Sequence, residues 1–290
     1  DVKVVTFSGP TDDEYVLDER VERECLLTGD TQGWNCLSII KKLNRLYMIR
    51  SYVKRKKPDV LIGMMSHTAS QILLATLGLS GTKLAAERVH PIAHQLPLVW
   101  RLMRKYLYWL ADGIIVQTDE CGDAIRTICG NVKTYTIANP ISLPIPSGVG
   151  CLPADVIGLE ENVLLSVGRL VHQKGFDILI DAFSQVTTAF PKWSLVIIGD
   201  GPEKENLHAQ IDQKEMSSKI HLIGTTAAMD TWYDRADLFV LSSRYEGFPN
   251  VLLEAMAKGR PVVSFDCLSG PRALISTADT GVLVPSEHGA

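Results

Sequence analysis

The 290-residue chain has no paired-cysteine signature: its six cysteines, Cys25, Cys36, Cys121, Cys129, Cys151 and Cys267, never fall in a Cys-x-x-Cys arrangement. That scatter points to neither a zinc site nor a disulfide-stapled scaffold, and reduced thiols of a cytosolic protein are the simplest reading. No stretch reaches the about 18 uninterrupted apolar residues of a membrane-spanning helix, so the chain is expected to be soluble or at most attached to a membrane surface. A basic excess is also missing. With 29 Lys and Arg against 33 Asp and Glu the net charge is −4, and bulk electrostatics argue against a nucleic-acid partner. Internal repeats are absent. A complete dinucleotide fingerprint is absent as well: Gly199 and Gly201 supply two glycines of G-x-G-x-x-G, but Lys204 stands where the third belongs. Glu203 and Glu205 would also put negative charge at the helix start that pyrophosphate needs.

The composition, 46% hydrophobic and 21% charged, is that of an ordinary globular protein long enough for two α/β cores. Apolar runs of strand length, such as Val60-Leu61-Ile62 and Ile114-Ile115-Val116, alternate with helical periodicity, which implies parallel sheets. Residues 38–57 read as an amphipathic helix whose basic end, Lys54-Arg55-Lys56-Lys57, is a solvated terminus suited to the helix dipole. Ser66 is expected to cap the following helix, and Thr118 or Asp119 a later one. Prolines and glycines from Pro140 to Pro153 punctuate a stretch without periodicity. The division expected is a first domain over 1–140, a hinge-bearing linker over 141–160 and a second domain over 161–290.

The chemistry gathers around residues 238–263. Leu238-Phe239-Val240-Leu241 reads as a buried strand, and a helix is expected from Pro249 or Asn250 to about Lys258, stopped by Gly259 and Pro261. Glu246 then sits in the loop ahead of that helix and Glu254 in its second turn. In an open α/β sheet, ligands bind beyond the carboxyl ends of the strands, where the free N–H groups of a helix start favour phosphate. Arg169 and Lys174 follow the strand at 162–169 and reach the same mouth, a fork and a compact charge suited to a diphosphate. Taken singly, all four charges are also compatible with a solvated surface. His90 follows a strand running from Lys83. Residues 96–111 mix Leu96, Trp100, Tyr106 and Trp109 with Arg101, Arg104 and Lys105, which fits either core packing with a basic edge or a helix in a membrane interface.

Two motifs carry a resemblance. Glu-x-Phe-Pro-Asn-x-x-x-Glu-Ala-Met-Ala-x-Gly-x-Pro-Val-Val from Glu246, and Val-Gly-Arg-Leu-x-x-x-Lys-Gly-Phe-Asp from Val167, resemble the paired-glutamate and phosphate-binding segments of family 4 retaining glycosyltransferases. The resemblance implies the GT-B fold, two Rossmann-like parallel-sheet domains facing a cleft. The implied activity is transfer of a hexose or N-acetylhexosamine from a nucleotide-diphosphate sugar to a glycan or lipid-linked acceptor in polysaccharide biosynthesis. Arg169 and Lys174 would neutralise the diphosphate, with no metal and no cofactor. Glu246 would contact the donor sugar, Glu254 the ribose, and Gly247, Phe248, Asn250 and Val251 would complete the donor site. His90 or Arg88 would take the catalytic place in the other domain. Ala273 departs from the family, which usually has Glu there. The likeness also implies cytoplasmic action with peripheral contact with the inner face of the membrane, and a chain clipped at both ends. A nucleotide-sugar 2-epimerase and a non-catalytic nucleotide-sugar-binding fragment are the alternatives.

Overall fold

The structure is a computed structural model that describes residues 2–7, 17–26 and 38–285. By packing, the chain divides into residues 1–86 with 96–114, and residues 87–95 with 115–290. The expected end of the first strand at residues 8–10, the aperiodic stretch through residue 35 and Cys36 lie outside or largely outside the described residues.

In the first unit, β1 (Lys3–Thr6) pairs in parallel with β2 (Glu22–Cys25). The amphipathic helix appears as α1 (Ser38–Lys56), and its helical spacing brings Ile49, Tyr52 and Val53 into a core with Ile72 and Ala75 of α2 (Met65–Ala75). Its basic end is solvated, with Lys56 bonded to Glu24 at 2.8 Å. Between these helices runs β3 (Val60–Met64), paired in parallel with β4 (Thr82–Ala86). Ser66 is not the cap: α2 begins at Met65, its cap position Met64 makes no side-chain bond, and Ser66 is buried inside the first turn. A strand passing directly into a helix leaves no loop residue to serve as cap. α3 (Leu98–Leu107) packs against α2, with the Trp100 and His67 rings edge to face at 4.5 Å. Leu96 and Tyr108 on either side are buried and Trp100, Met103 and Leu107 half-buried, while Leu98, Val99, Leu102, Tyr106 and Trp109 are exposed together with Arg101 and Lys105, so the stretch has one packed side and one that is both apolar and basic.

β5 (Gly113–Val116) leads into α4 (Asp119–Cys129), capped by the Thr118 hydroxyl, and then to β6 (Thr134–Thr136). The strands of this sheet run in the order β3-β4-β5-β6.

Parts of residues 141–160 pack against the second unit. Ile145 and Ile157 are buried in a core of the second unit, Gly148 N–H bonds to the Ala227 carbonyl, and the Cys151 carbonyl accepts from the Trp232 indole at 2.8 Å. Beyond them lie β7 (Asn162–Val167), α5 (Phe176–Val186), β8 (Trp193–Ile198), α6 (Lys204–Gln213), β9 (Ile220–Leu222) and α7 (Met229–Arg235). The chain continues through β10 (Leu238–Leu241), α8 (Asn250–Ala257), β11 (Val262–Asp266), α9 (Pro271–Leu274) and β12 (Val282–Pro285).

The six strands lie in the order β12-β11-β10-β7-β8-β9 and all pair in parallel. Alternation along β8 covers both faces: Leu195 and Ile197 join the α5 and α6 side chains Phe176, Ile180 and Leu207, while Val196 and Ile198 join Trp232 of α7 and Leu252 of α8. Trp232 and Phe239 are wholly buried, each contributing roughly 1.5 to 3 kcal/mol of transfer free energy. The order reverses between β7 and β10. That reversal is the switch point where a doubly wound sheet opens a crevice for a ligand.

Candidate active site

Both loops that leave the switch point carry the charges expected of them. β7 delivers Arg169 and, on the short turn at His172–Lys174, Lys174. β10 delivers Ser243, Arg244 and Glu246. The Lys174 ammonium lies 2.6 Å from Oε1 of Glu246, with only 16% and 7% of their side chains exposed. Ser243 donates its hydroxyl to the same oxygen at 2.6 Å. Arg169 shares this rim but is exposed, so Lys174 alone of the two cations reaches Glu246.

The loops are stitched together along their backbones. Arg244 N–H donates to the Gln173 carbonyl, the Gln173 amide donates to the Tyr245 carbonyl at 2.9 Å, and Ser242 donates to the Lys174 carbonyl at 2.9 Å. Arg244 forks onto Asp177 with bonds of 2.8 and 2.7 Å and holds the His172 carbonyl at 2.7 Å. Its guanidinium keeps the Asp177 carboxyl below the usual carboxylate range against the opposing effect of burial. Gly175 permits this closeness. It has φ of +64°, and a Cβ there would stand 2.1 Å from the Ser242 carbonyl oxygen. Gly199 and Gly201 serve close approach too, with the carbonyls of Gly168 and Leu170 against them.

The loop at 87–95, part of the same unit, comes to the Glu246 turn. A Cβ on Gly247 would lie 2.3 Å from the Arg88 carbonyl oxygen and 2.9 Å from the Val89 Cα, so only glycine fits between them. His90, buried in this loop, accepts the Ala93 N–H on Nδ1 at 3.3 Å, which leaves the proton of the neutral ring on Nε2. Burial lowers its pKa, partly offset by Glu120. Arg88 contributes backbone to Gly247, and its side chain is partly exposed. On the other flank Ser269 donates to the Glu246 carbonyl at 2.7 Å, and Gly270 packs on Pro249.

α8 starts at Asn250 with Pro249 at the cap position and ends before Gly259, which has φ of +68°. The Asn250 and Val251 N–H groups lie in its first turn, where no intrahelical acceptor exists. The Val251 side chain packs on the core, so only its backbone is free to face a ligand. Phe248 is half-buried, and Oδ1 of the Asn250 side chain accepts from the Asn139 side-chain amide at 2.7 Å. Glu254 has a different partner. Its Oε2 accepts the Tyr233 hydroxyl at 2.7 Å, and it lines a cavity of about 180 Å³ with Asn250, Leu253, Pro140 and Ile141. Burial raises the Glu254 pKa, and the Tyr233 hydrogen bond partly counters it.

Of the residues expected at the site, Lys174 and Glu246 are in contact and Gly247 adjoins Glu246, with Arg169 on the same rim and Glu254 at a separate cavity. Ser243, Ser269, Arg244 and Tyr233 went unnoticed. A hydroxyl three residues before Glu246 was the one available signal, since Ser and Thr bond readily to near neighbours.

Residues 154–289 match the family described as glycosyl transferases group 1. The amylovoran biosynthesis glycosyltransferase AmsD of Erwinia amylovora is 27% identical over 245 residues, 84% of this chain and 68% of that protein. An N-acetylgalactosamine-N,N'-diacetylbacillosaminyl-diphospho-undecaprenol 4-alpha-N-acetylgalactosaminyltransferase of Campylobacter jejuni is 34% identical over 193 residues, 66% of this chain and 51% of that protein. The chain therefore spans between about half and two thirds of these relatives. Among solved structures, sucrose-phosphate synthase from Thermosynechococcus elongatus superposes with a TM-score of 0.81 over 99% of this chain and 76% of its own, at 18% identity. HepE of Anabaena, solved with UDP and glucose, gives 0.73 over 92% and 72% at 20% identity. The fold is the α/β, parallel-sheet architecture of GT-B glycosyltransferases.

Proposed function

We propose that the protein is a retaining glycosyltransferase that moves a hexose or N-acetylhexosamine from a nucleotide-diphosphate sugar to a glycan or lipid-linked acceptor in surface-polysaccharide biosynthesis. The observation that carries this reading is the contact of Lys174 with Glu246 at the switch point, a cation and a carboxylate from two different strand exits. Lys174 and the exposed Arg169 would neutralise the diphosphate as negative charge grows on it in the transition state. One such group is typically worth about 3 to 4 kcal/mol. No metal is required for that neutralisation. Oε2 of Glu246 would take a hydroxyl of the donor sugar, because Lys174 and Ser243 both occupy Oε1. The first-turn N–H groups of α8 would meet the phosphates, and Glu254, beside its cavity, the ribose hydroxyls. His90, with Nε2–H as donor, would lie toward the reacting sugar from the 87–95 loop.

The names of the relatives support the acceptor class: the Campylobacter protein is named for a sugar chain on diphospho-undecaprenol. An acceptor of that kind sits at a membrane. The exposed Leu98, Val99, Leu102, Tyr106 and Trp109 beside Arg101 and Lys105 have the make-up of an interfacial helix, consistent with action on the cytoplasmic face.

Thermal-shift screening of nucleotide sugars, followed by product analysis with and without acceptor, tests the reading. A selective stabilisation and acceptor-dependent sugar transfer are expected. Product formed without acceptor would favour an epimerase, and stabilisation by no nucleotide sugar would remove the donor site.

A further inference from the structure

Glu246 is nearly enclosed, and the donors that hold it come from three segments. Lys174 and Ser243 share Oε1, each at 2.6 Å, and Ser269 holds the backbone carbonyl at 2.7 Å. Ser269 is itself the acceptor for the Cys121 thiol at 3.5 Å. Of the two groups on Oε1, one is mobile in principle and one is not. Lys174 sits at the end of a flexible stem across the crevice, whereas Ser243 is 1% exposed and only three residues from the carboxylate.

On the reading that a diphosphate binds at this rim, an anionic ligand competes with Glu246 for the Lys174 ammonium. A carboxylate this deeply enclosed is costly to leave without a donor. We propose that Ser243 is a positioning residue that keeps Glu246 oriented, with Oε2 toward the ligand, once Lys174 turns to the diphosphate. In the free protein Ser243 is, among the described residues, one of two donors on Oε1; in the occupied site it is the remaining one. Its contribution therefore grows on binding, and the growth depends on Lys174 being present to leave.

That dependence separates a positioning role from a merely structural one. UDP, GDP and ADP are titrated calorimetrically into the wild type, Ser243→Ala, Ser243→Thr, Lys174→Ala and the Lys174→Ala/Ser243→Ala double variant, and the tightest diphosphate is used throughout. Ser243→Ala is expected to weaken binding on the order of tenfold, and Ser243→Thr, which keeps the hydroxyl, to restore it. In the Lys174→Ala background, where Ser243 is the donor on Oε1 both before and after binding, adding Ser243→Ala is expected to change the weaker affinity less than twofold. Equal losses in both backgrounds would mean that the serine only supports the loop, and an unchanged affinity in Ser243→Ala would remove its role outright. Either result leaves the donor site standing. Failure of all three diphosphates to bind the wild type would overturn the donor site and the Ser243 assignment together.

Discussion

Glu246 and Glu254 belong to one turn and helix, yet their surroundings are opposites. Glu246 meets an ammonium and a hydroxyl on a single oxygen, in a crevice built from two strand exits. Glu254 meets, among the described residues, the Tyr233 phenol and the wall of a cavity but no cation, and burial raises its pKa. Eight positions of sequence separate a charge that is compensated from one that is largely not. What each can do follows from that difference: the first suits a site where positive charge is exchanged with a ligand, the second a site for neutral hydroxyl groups.

Removing Lys174 should break the contrast most severely. Lys174→Ala leaves Glu246 enclosed without its cation, and a destabilisation of about 3 kcal/mol in urea unfolding is expected, with sugar transfer reduced on the order of 100- to 1,000-fold. Stability within ~0.5 kcal/mol of wild type would show that the pair is not energetically coupled. Gly247→Ala comes next. Its Cβ would stand 2.3 Å from the Arg88 carbonyl oxygen, so the Glu246 turn and the 87–95 loop must part. A loss of about 1 to 3 kcal/mol and a fall in turnover near 100-fold are expected, whereas an unperturbed variant would mean the approach is looser than described.

The smallest effect concerns Glu254. Its folded-state pKa lies above the ordinary value of 4.5, so the unfolded chain ionises first as pH rises. Stability should therefore decline from about pH 4.5 up to the raised value and stay level above it. Glu254→Gln should flatten that decline, and Tyr233→Phe, which removes the bond favouring the charged form, should steepen it. Denaturation curves across that range in the two variants sharpen the comparison; a wild-type slope in Glu254→Gln would assign it to another group.

Why these two carboxylates differ was only half legible in the sequence. The strand at Leu238, the helix from Asn250 and the left-handed Gly259 follow from local propensity, and all three appear where spacing puts them. Tertiary partners are another matter. The three-residue spacing of Ser243 from Glu246 is a local signal for their bond, but nothing local pairs Arg244 with Asp177 across two loops. Gly247 does not have a φ in the left-handed region, and what requires glycine there is the Arg88 backbone, sequence-distant by more than half the chain. Residues 141–160 lack periodicity, so the sequence did not mark the single apolar residues, Ile145 and Ile157, that pack into a core. The amphipathic pattern of α3 gave its two faces but not which one is covered.

The most direct measurement compares nucleoside diphosphates with their nucleosides by calorimetry, on the wild type and on Arg169→Ala/Lys174→Ala. Cations converging on a pyrophosphate make a diphosphate bind at least about 100-fold more tightly than its nucleoside, an advantage lost in the double variant. Equal affinity for both, or an advantage that survives removal of both side chains, would contradict the diphosphate site at the β7 and β10 exits.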